Sequence, residues 1–77
     1  MQVTIINYEK VFYQDSATSI TAPGLNGFFQ ILENHDSMIS LLGGGFLKLS
    51  SFKKKNFIIK INGGLLQVKK NIVFILL

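Results

Sequence analysis

Four acidic side chains and one histidine are the groups in this 77-residue chain that acid–base chemistry would draw on: Glu9, Asp15, Glu33, Asp36 and His35. Several serines stand by as candidate nucleophiles. A serine–histidine–aspartate arrangement needs its serine on a strained local turn, and no G-x-S-x-G elbow or comparable signature is present. His35 and Asp36 read more simply as a loop whose polar side chains hold the backbone and face a partner. The same five groups lack the ligand number and spacing of a zinc, calcium or magnesium site. With no cysteine in the chain, there is no thiolate ligand and no disulfide either. No catalytic residue, metal or cofactor is expected. Gly43-Gly44-Gly45 has neither the Lys-Ser/Thr ending of a phosphate loop nor the spacing of a dinucleotide fold. It reads as a flexible hairpin tip between two strands.

The charge that remains is basic. Eight lysines against four acidic residues give a net charge of +4, which suits nucleic acid or an anionic surface. Their positions, Lys53-Lys54-Lys55 and Lys69-Lys70, fall just before β-rich runs, where charge keeps the tips of hairpins solvated. Seven phenylalanines beside these lysines raise the alternative of a small basic β-barrel that binds single-stranded nucleic acid by stacking. Phe46, Phe57 and Phe74 sit among Leu and Ile and read as core, which leaves Phe28-Phe29 and Phe52 as candidate exposed rings. Phe28 and Phe29 are adjacent, so on a strand they point to opposite faces and one of them stays outside. That ring, beside Gly24-Leu25-Asn26-Gly27, is a contact waiting for an assembly.

The elements that would position these groups are almost all strands. Apolar residues recur with period two or in short solid runs rich in β-branched and aromatic types. The candidate strands are 3–6, 11–13, 17–22, 27–32, 38–42, 46–50, 57–61, 65–68 and 72–76. Residues 14–16, 23–27, 33–36, 43–45, 62–64 and 69–71 supply the Gly, Asn, Asp or Pro of turns. Met38–Leu42 is the one stretch able to start a helix, capped by Asp36 or Ser37, but the triple glycine stops it within two turns, so strand is expected. Many short strands at 8–10-residue spacing predict an all-β fold, a small antiparallel β-sandwich or barrel, and no α/β crossover.

Length allows one domain over 1–77, since a chain this small has no room for a second core. The 48% hydrophobic content supplies that core. Without a disulfide, stability must come from packing or from assembly with another chain. No basic n-region followed by an apolar run opens the chain, so no signal peptide is expected. The longest apolar stretch, Ile72–Leu77, falls far short of the roughly 20 residues of a spanning helix.

Two longer patterns then carry a resemblance. Residues 17–35, ATSITAPGLNGFFQILENH, run strand, Gly-rich loop, Gly-x-x-x-Ile-Leu strand and Asn-His. Residues 61–76, INGGLLQVKKNIVFIL, run Gly-Gly-hydrophobic-x-x-Val and then Asn-x-Val-x-x-Leu. With Val3–Ile6 and Val11-Phe12 before them, they are colinear over nearly the whole chain with the epsilon subunit of bacterial F-type ATP synthases, which this sequence resembles in its N-terminal domain.

The resemblance implies a ten-stranded sandwich that packs on the gamma subunit and on the polar loops of the membrane c-ring, in the rotor of a proton- or sodium-translocating synthase. It implies a non-catalytic subunit, peripheral at the cytoplasmic face of the bacterial inner membrane. Carried over by position, Leu25, Asn26, Gly27 and Phe28 fall where relatives touch the c-ring, and His35, Met38 and Ser40 on the side facing gamma. Two positions depart from the pattern. Phe28 replaces a common acidic residue, which makes an apolar contact with the ring the expectation, and His35-Asp36-Ser37 replaces His-Ala-Pro. Longer relatives continue beyond the position of Leu77 into a C-terminal helical hairpin linked to inhibition, so coupling without helical autoinhibition is expected of this stretch.

Overall fold

The computed structural model describes residues 1–77, and every regular element in it is a strand. There are nine: β1 (Gln2–Ile6), β2 (Val11–Ser16), β3 (Ser19–Gly24), β4 (Gly27–Leu32), β5 (Met38–Leu42), β6 (Gly45–Ser50), β7 (Phe57–Ile61), β8 (Gly64–Lys69) and β9 (Ile72–Leu76). Each answers one candidate run, one strand fewer than the ten that the resemblance implies. β2 continues through Asp15 and Ser16, where a turn was expected, because both pair with β1. β3 reaches Gly24, because Pro23 and Gly24 pair with Phe28 and Gly27.

The strands form one curled sheet in the order β2-β1-β9-β8-β5-β3-β6-β7, with β4 on β3. Its halves, β2-β1-β9-β8-β5 and β4-β3-β6-β7, meet at the single pair Gly24↔Leu42. Inward positions of both halves build one core: Val3, Ile5, Leu66, Val68, Val73 and Ile75 from the first, Ile20, Ala22, Ile31, Leu47, Leu49 and Ile61 from the second. The alternation is physical, since successive side chains of a strand leave opposite faces and only one face meets the other half.

Three expectations need correction. The sandwich is not wholly antiparallel: β1 and β9 run parallel, Gln2↔Ile72 to Ile6↔Leu76. Parallel neighbours need a long crossover, and here everything between β1 and β9 serves as one. Gly43-Gly44-Gly45 is not a hairpin tip, for β5 pairs with β8 while β6 pairs with β3 and β7. The glycines carry the chain from one half to the other. Phe46 and Phe74 are not core. Leu47 and Leu49, Val73 and Ile75 occupy the inward phase, which leaves Phe46 55% and Phe74 40% exposed. Phe57 does pack against the core, as expected.

Turn chemistry follows the sequence closely elsewhere. Between β8 and β9, Lys70 and Asn71 both take left-handed φ, 50° and 63°, as a two-residue hairpin loop matched to strand twist requires. Lys53, Lys54 and Lys55 lie exposed in the loop between β6 and β7.

Candidate functional site

The two long seams of the curled sheet differ. Along one, β2 and β7 approach, and the Tyr13 and Phe57 rings meet with centroids 5.1 Å apart. Asp15 and Lys54 form an ion pair at the end of the same seam. The hydrogen bond from the Lys54 ammonium, with one from the Ser16 N–H, holds the Asp15 carboxyl below its ordinary range, and the same pairing raises Lys54. Burial raises the Tyr13 phenol, with the Asp15 charge adding to it.

Along the other seam, β4 and β5 leave a groove of about 510 Å³. Its lining is Gly24 to Phe29 and Ile39 to Leu41, and none of these residues is titratable. The turn Leu25-Asn26 is closed by Gly24↔Gly27, with Gly27 at φ 118°. A side chain at Gly24 would not fit, since a Cβ there would sit 2.9 Å from the Gly27 carbonyl oxygen and 3.0 Å from the Phe29 ring. Phe29 packs inward against the core, and Phe28, in the opposite phase, is 66% exposed.

The groove opens onto the outer face of the first half. Register sets Leu41 beside Leu65, Leu65 beside Leu76, and Leu76 beside Ile6. A second row runs Ile39, Gln67, Phe74, Thr4. Ile39 is 67% and Leu41 60% exposed. Neither row contains a charge. A contiguous outward apolar face on so small a chain marks an interaction surface.

The positions singled out from sequence distribute as follows. Leu25, Asn26, Gly27 and Phe28 all line the groove, and Ser40 lines it from the β5 side. Met38 turns inward against the core. His35 is exposed in the loop before β5, its Nδ1 2.7 Å from the Asp36 carbonyl oxygen. The groove therefore joins the turn given to the ring with the strand given to gamma, while His35 stands outside it. Sequence reasoning missed Ile39, Leu41, Leu65 and Leu76. The available signal was period two itself: with Leu42 inward, Ile39 and Leu41 must face out. The five exposed rings are dispersed, with Tyr8 between β1 and β2, Phe28 on β4, Phe46 on β6, Phe52 in the lysine loop and Phe74 on the other half.

Fold and surface together define a small β-sandwich whose outer face carries the Leu41–Leu65–Leu76 row, continuous with an open seam and bounded on its far side by Lys69. Its sequence matches, over residues 1–77, the family described as ATP synthase, Delta/Epsilon chain, beta-sandwich domain. The chain belongs to that family. A protein named ATP synthase epsilon chain from Leptospira borgpetersenii serovar Hardjo-bovis (strain JB197) is 40% identical over 77 residues, covering 99% of this chain and 59% of that one. One of the same name from Chlorobium limicola is 34% identical over 70 residues, covering 91% and 80%. The chain thus spans 59% of the length of its Leptospira relative. In fold it is similar to a chain in the structure of the Euglena gracilis mitochondrial ATP synthase, OSCP/F1/c-ring in rotational state 1. That likeness has a TM-score of 0.87 at 22% identity, covering 96% of this chain and 48% of the other. It is also similar to a chain in the central stalk/c-ring structure of the Tetrahymena thermophila mitochondrial ATP synthase, with a TM-score of 0.82 at 23% identity, covering 97% and 60%.

Proposed function

We propose that this chain is the sandwich part of an epsilon subunit in the rotor of a proton- or sodium-translocating F-type ATP synthase. It docks on gamma and on the polar loops of the c-ring and so helps couple ion flow to ATP synthesis. It is a non-catalytic component, peripheral to the cytoplasmic face of the bacterial inner membrane. The observation that carries the reading is the uncharged surface in which the Leu25–Phe28 turn, the β4–β5 groove and the Leu41–Leu65–Leu76 row are continuous. Family membership and the assemblies named for the similar structures support it.

Within that surface the ring contact falls to Leu25, Asn26, Gly27 and Phe28. The gamma contact falls to β5, where Ile39 and Leu41 offer the exposed side chains and Met38 supports them from below. Met38 substitutions consequently report on folding as well as docking. Co-purification with the gamma subunit of the same synthase tests the reading: the wild-type chain is retained, and Ile39→Asp loses retention while keeping its unfolding midpoint. Retention of Ile39→Asp at the wild-type level would contradict the assigned surface.

A further inference from the structure

Six asparagines are spread along the chain, and two of them, Asn26 and Asn62, precede glycine. An Asn-Gly pair carries a chemistry of its own. The glycine amide nitrogen attacks the asparagine side-chain carbonyl carbon, ammonia leaves, and a succinimide ring closes; a following glycine favours this because it has no side chain to obstruct the ring. Bulky residues, Tyr8, His35, Phe57 and Ile72, follow the other four. Asn26 and Asn62 are both exposed, so sequence and exposure do not tell them apart. The backbone does.

Gly27 is held in the β3–β4 ladder. Pro23 has no N–H, and its carbonyl turns away from β4 to accept from the Gly43 N–H at 2.8 Å, so Pro23↔Phe28 is a pair without hydrogen bonds between its members. Bonded and non-bonded pairs alternate in an antiparallel ladder, which makes Gly24↔Gly27 a bonded pair and commits the Gly27 N–H to the Gly24 carbonyl. Gly63 is different. β7 ends at Ile61 and β8 starts at Gly64, so Asn62 and Gly63 lie outside both strands, and the Gly63 N–H donates to no carbonyl of the chain. Gly63, at φ 146°, holds a conformation that glycine alone takes readily, so the small residue the reaction needs is also the one this segment needs. The segment is a crossing: Ile61 pairs with Gly45 in one half of the sheet and Gly64 with Leu42 in the other. It is closely fitted, for a Cβ at Gly63 would sit 3.4 Å from the Leu42 carbonyl oxygen and one at Gly64 2.7 Å from that of Leu76.

We propose that Asn62 is a site of self-modification. The Gly63 nitrogen gives its proton to solvent base and bonds to Asn62 Cγ, the side-chain nitrogen leaves as ammonia, and water then opens the succinimide. No oxidant, metal or second protein enters. Opening at the side-chain carbonyl gives aspartate, which adds a charge and leaves the path of the main chain unchanged. Opening at the main-chain carbonyl gives isoaspartate, which routes the chain through the former side chain and adds one methylene to the crossing. That extra length falls between Ile61 and the Gly64↔Leu42 pair, and both Ile61 and Leu42 are core residues. Isoaspartate therefore loosens the join between the halves, whereas aspartate, in the recess that Asn62 shares with Lys60, is tolerated.

Incubation of the 77-residue chain at mildly alkaline pH, followed by cleavage after lysine, tests this. The Asn62 product falls in fragment 61–69 and the Asn26 product in fragment 11–48, each read by the mass change of an NH replaced by O. Isoaspartate is read by an isoaspartate-specific methyltransferase, which moves a methyl group from S-adenosylmethionine to the freed carboxylate. In the folded chain Asn62 converts roughly tenfold faster than Asn26, the factor that opening about one hydrogen bond imposes, and in urea the two rates converge. The unfolding midpoint falls in step with the isoaspartate content. Asn62→Gln, whose longer side chain closes a ring far more slowly, keeps its midpoint through the incubation, and freshly prepared Asn62→Asp has the wild-type midpoint. Conversion of Asn26 as fast as Asn62 in the folded chain overturns the assignment. So does a folded chain in which neither converts while the chain in urea converts at both. Isoaspartate at position 62 with an unchanged midpoint overturns the role given to the crossing. None of these outcomes depends on the stalk reading.

Discussion

The seam between β2 and β7 and the seam between β4 and β5 are made from the same sheet and finished differently. At the first, Tyr13 and Phe57 pack ring against ring and Asp15 meets Lys54, so side chains do what backbone pairing does inside a sheet. At the second, the strand edge is bare and its flanks are aliphatic or aromatic. Residues at the closed seam stabilise the fold, whereas the outward side chains at the open seam, Phe28, Ile39 and Leu41, cost the isolated chain little when changed, because they are mostly exposed in it. The molecule thus separates the positions that hold it together from those that the proposed function gives to a partner.

Substitutions that break this comparison fall in a clear order. Phe57→Ala removes the ring that closes the first seam and packs on the core. It lowers stability by about 2–3 kcal/mol, below the range for a fully buried phenylalanine, readable as a lower urea midpoint. An unchanged midpoint would mean that the seam is closed by something else. Phe28→Asp, on the open seam, leaves the midpoint within about 0.5 kcal/mol; if the proposed ring contact is made there, it weakens association with the c-ring by roughly tenfold, since an apolar contact would become a charge needing solvation. Gly24→Ala sharpens the picture by acting on both: the added Cβ meets the Gly27 carbonyl and the Phe29 ring, costing about 1–2 kcal/mol as an overpacked site does and displacing the Leu25–Phe28 turn.

The smallest effect is electrostatic. The Asp15 carboxyl is lowered in the folded chain by Lys54, so its contribution is present above the ordinary aspartate value of 3.8 and fades as pH falls through the lowered one. Lys54 is raised from 10.5, so its share is present below that value and fades as pH rises through the raised one. Both groups are exposed, and salt screens the pair. Asp15→Asn accordingly flattens the acid limb of the stability–pH curve slightly and leaves docking unchanged.

How much of this was legible beforehand depends on the range of the interaction. Strand positions were readable because period two and turn residues act locally: Asn71 belongs in a tight left-handed loop, and all nine runs became strands. The Leu25–Phe28 turn was readable too, through Gly24 and Gly27 and through the necessity that one of two adjacent phenylalanines faces out. The bare edge of β5 was not, because it depends on β5 choosing β8, some 25 positions away by Ser40↔Leu66, over its neighbour β6. That choice also turned the triple glycine from a hairpin tip into a crossover. Phe74 was misplaced for a related reason: in the solid apolar run Ile72–Leu77 composition does not distinguish the two faces, and only pairing decides which one the core receives. Phe46 was legible, because period two puts it on the same strand face as Lys48.

The most direct test compares two exposed aliphatic residues on the two outer faces. Leu41 borders the open seam, and Ile58 lies on β7, 57% exposed, on the outer face of the other half. Aspartate at either position should leave folding intact. Leu41→Asp should lower the affinity for the gamma subunit by roughly tenfold or more, while Ile58→Asp should bind as the wild type does. Equal affinities for the two variants, or loss confined to Ile58→Asp, would contradict the assignment of docking to the open seam.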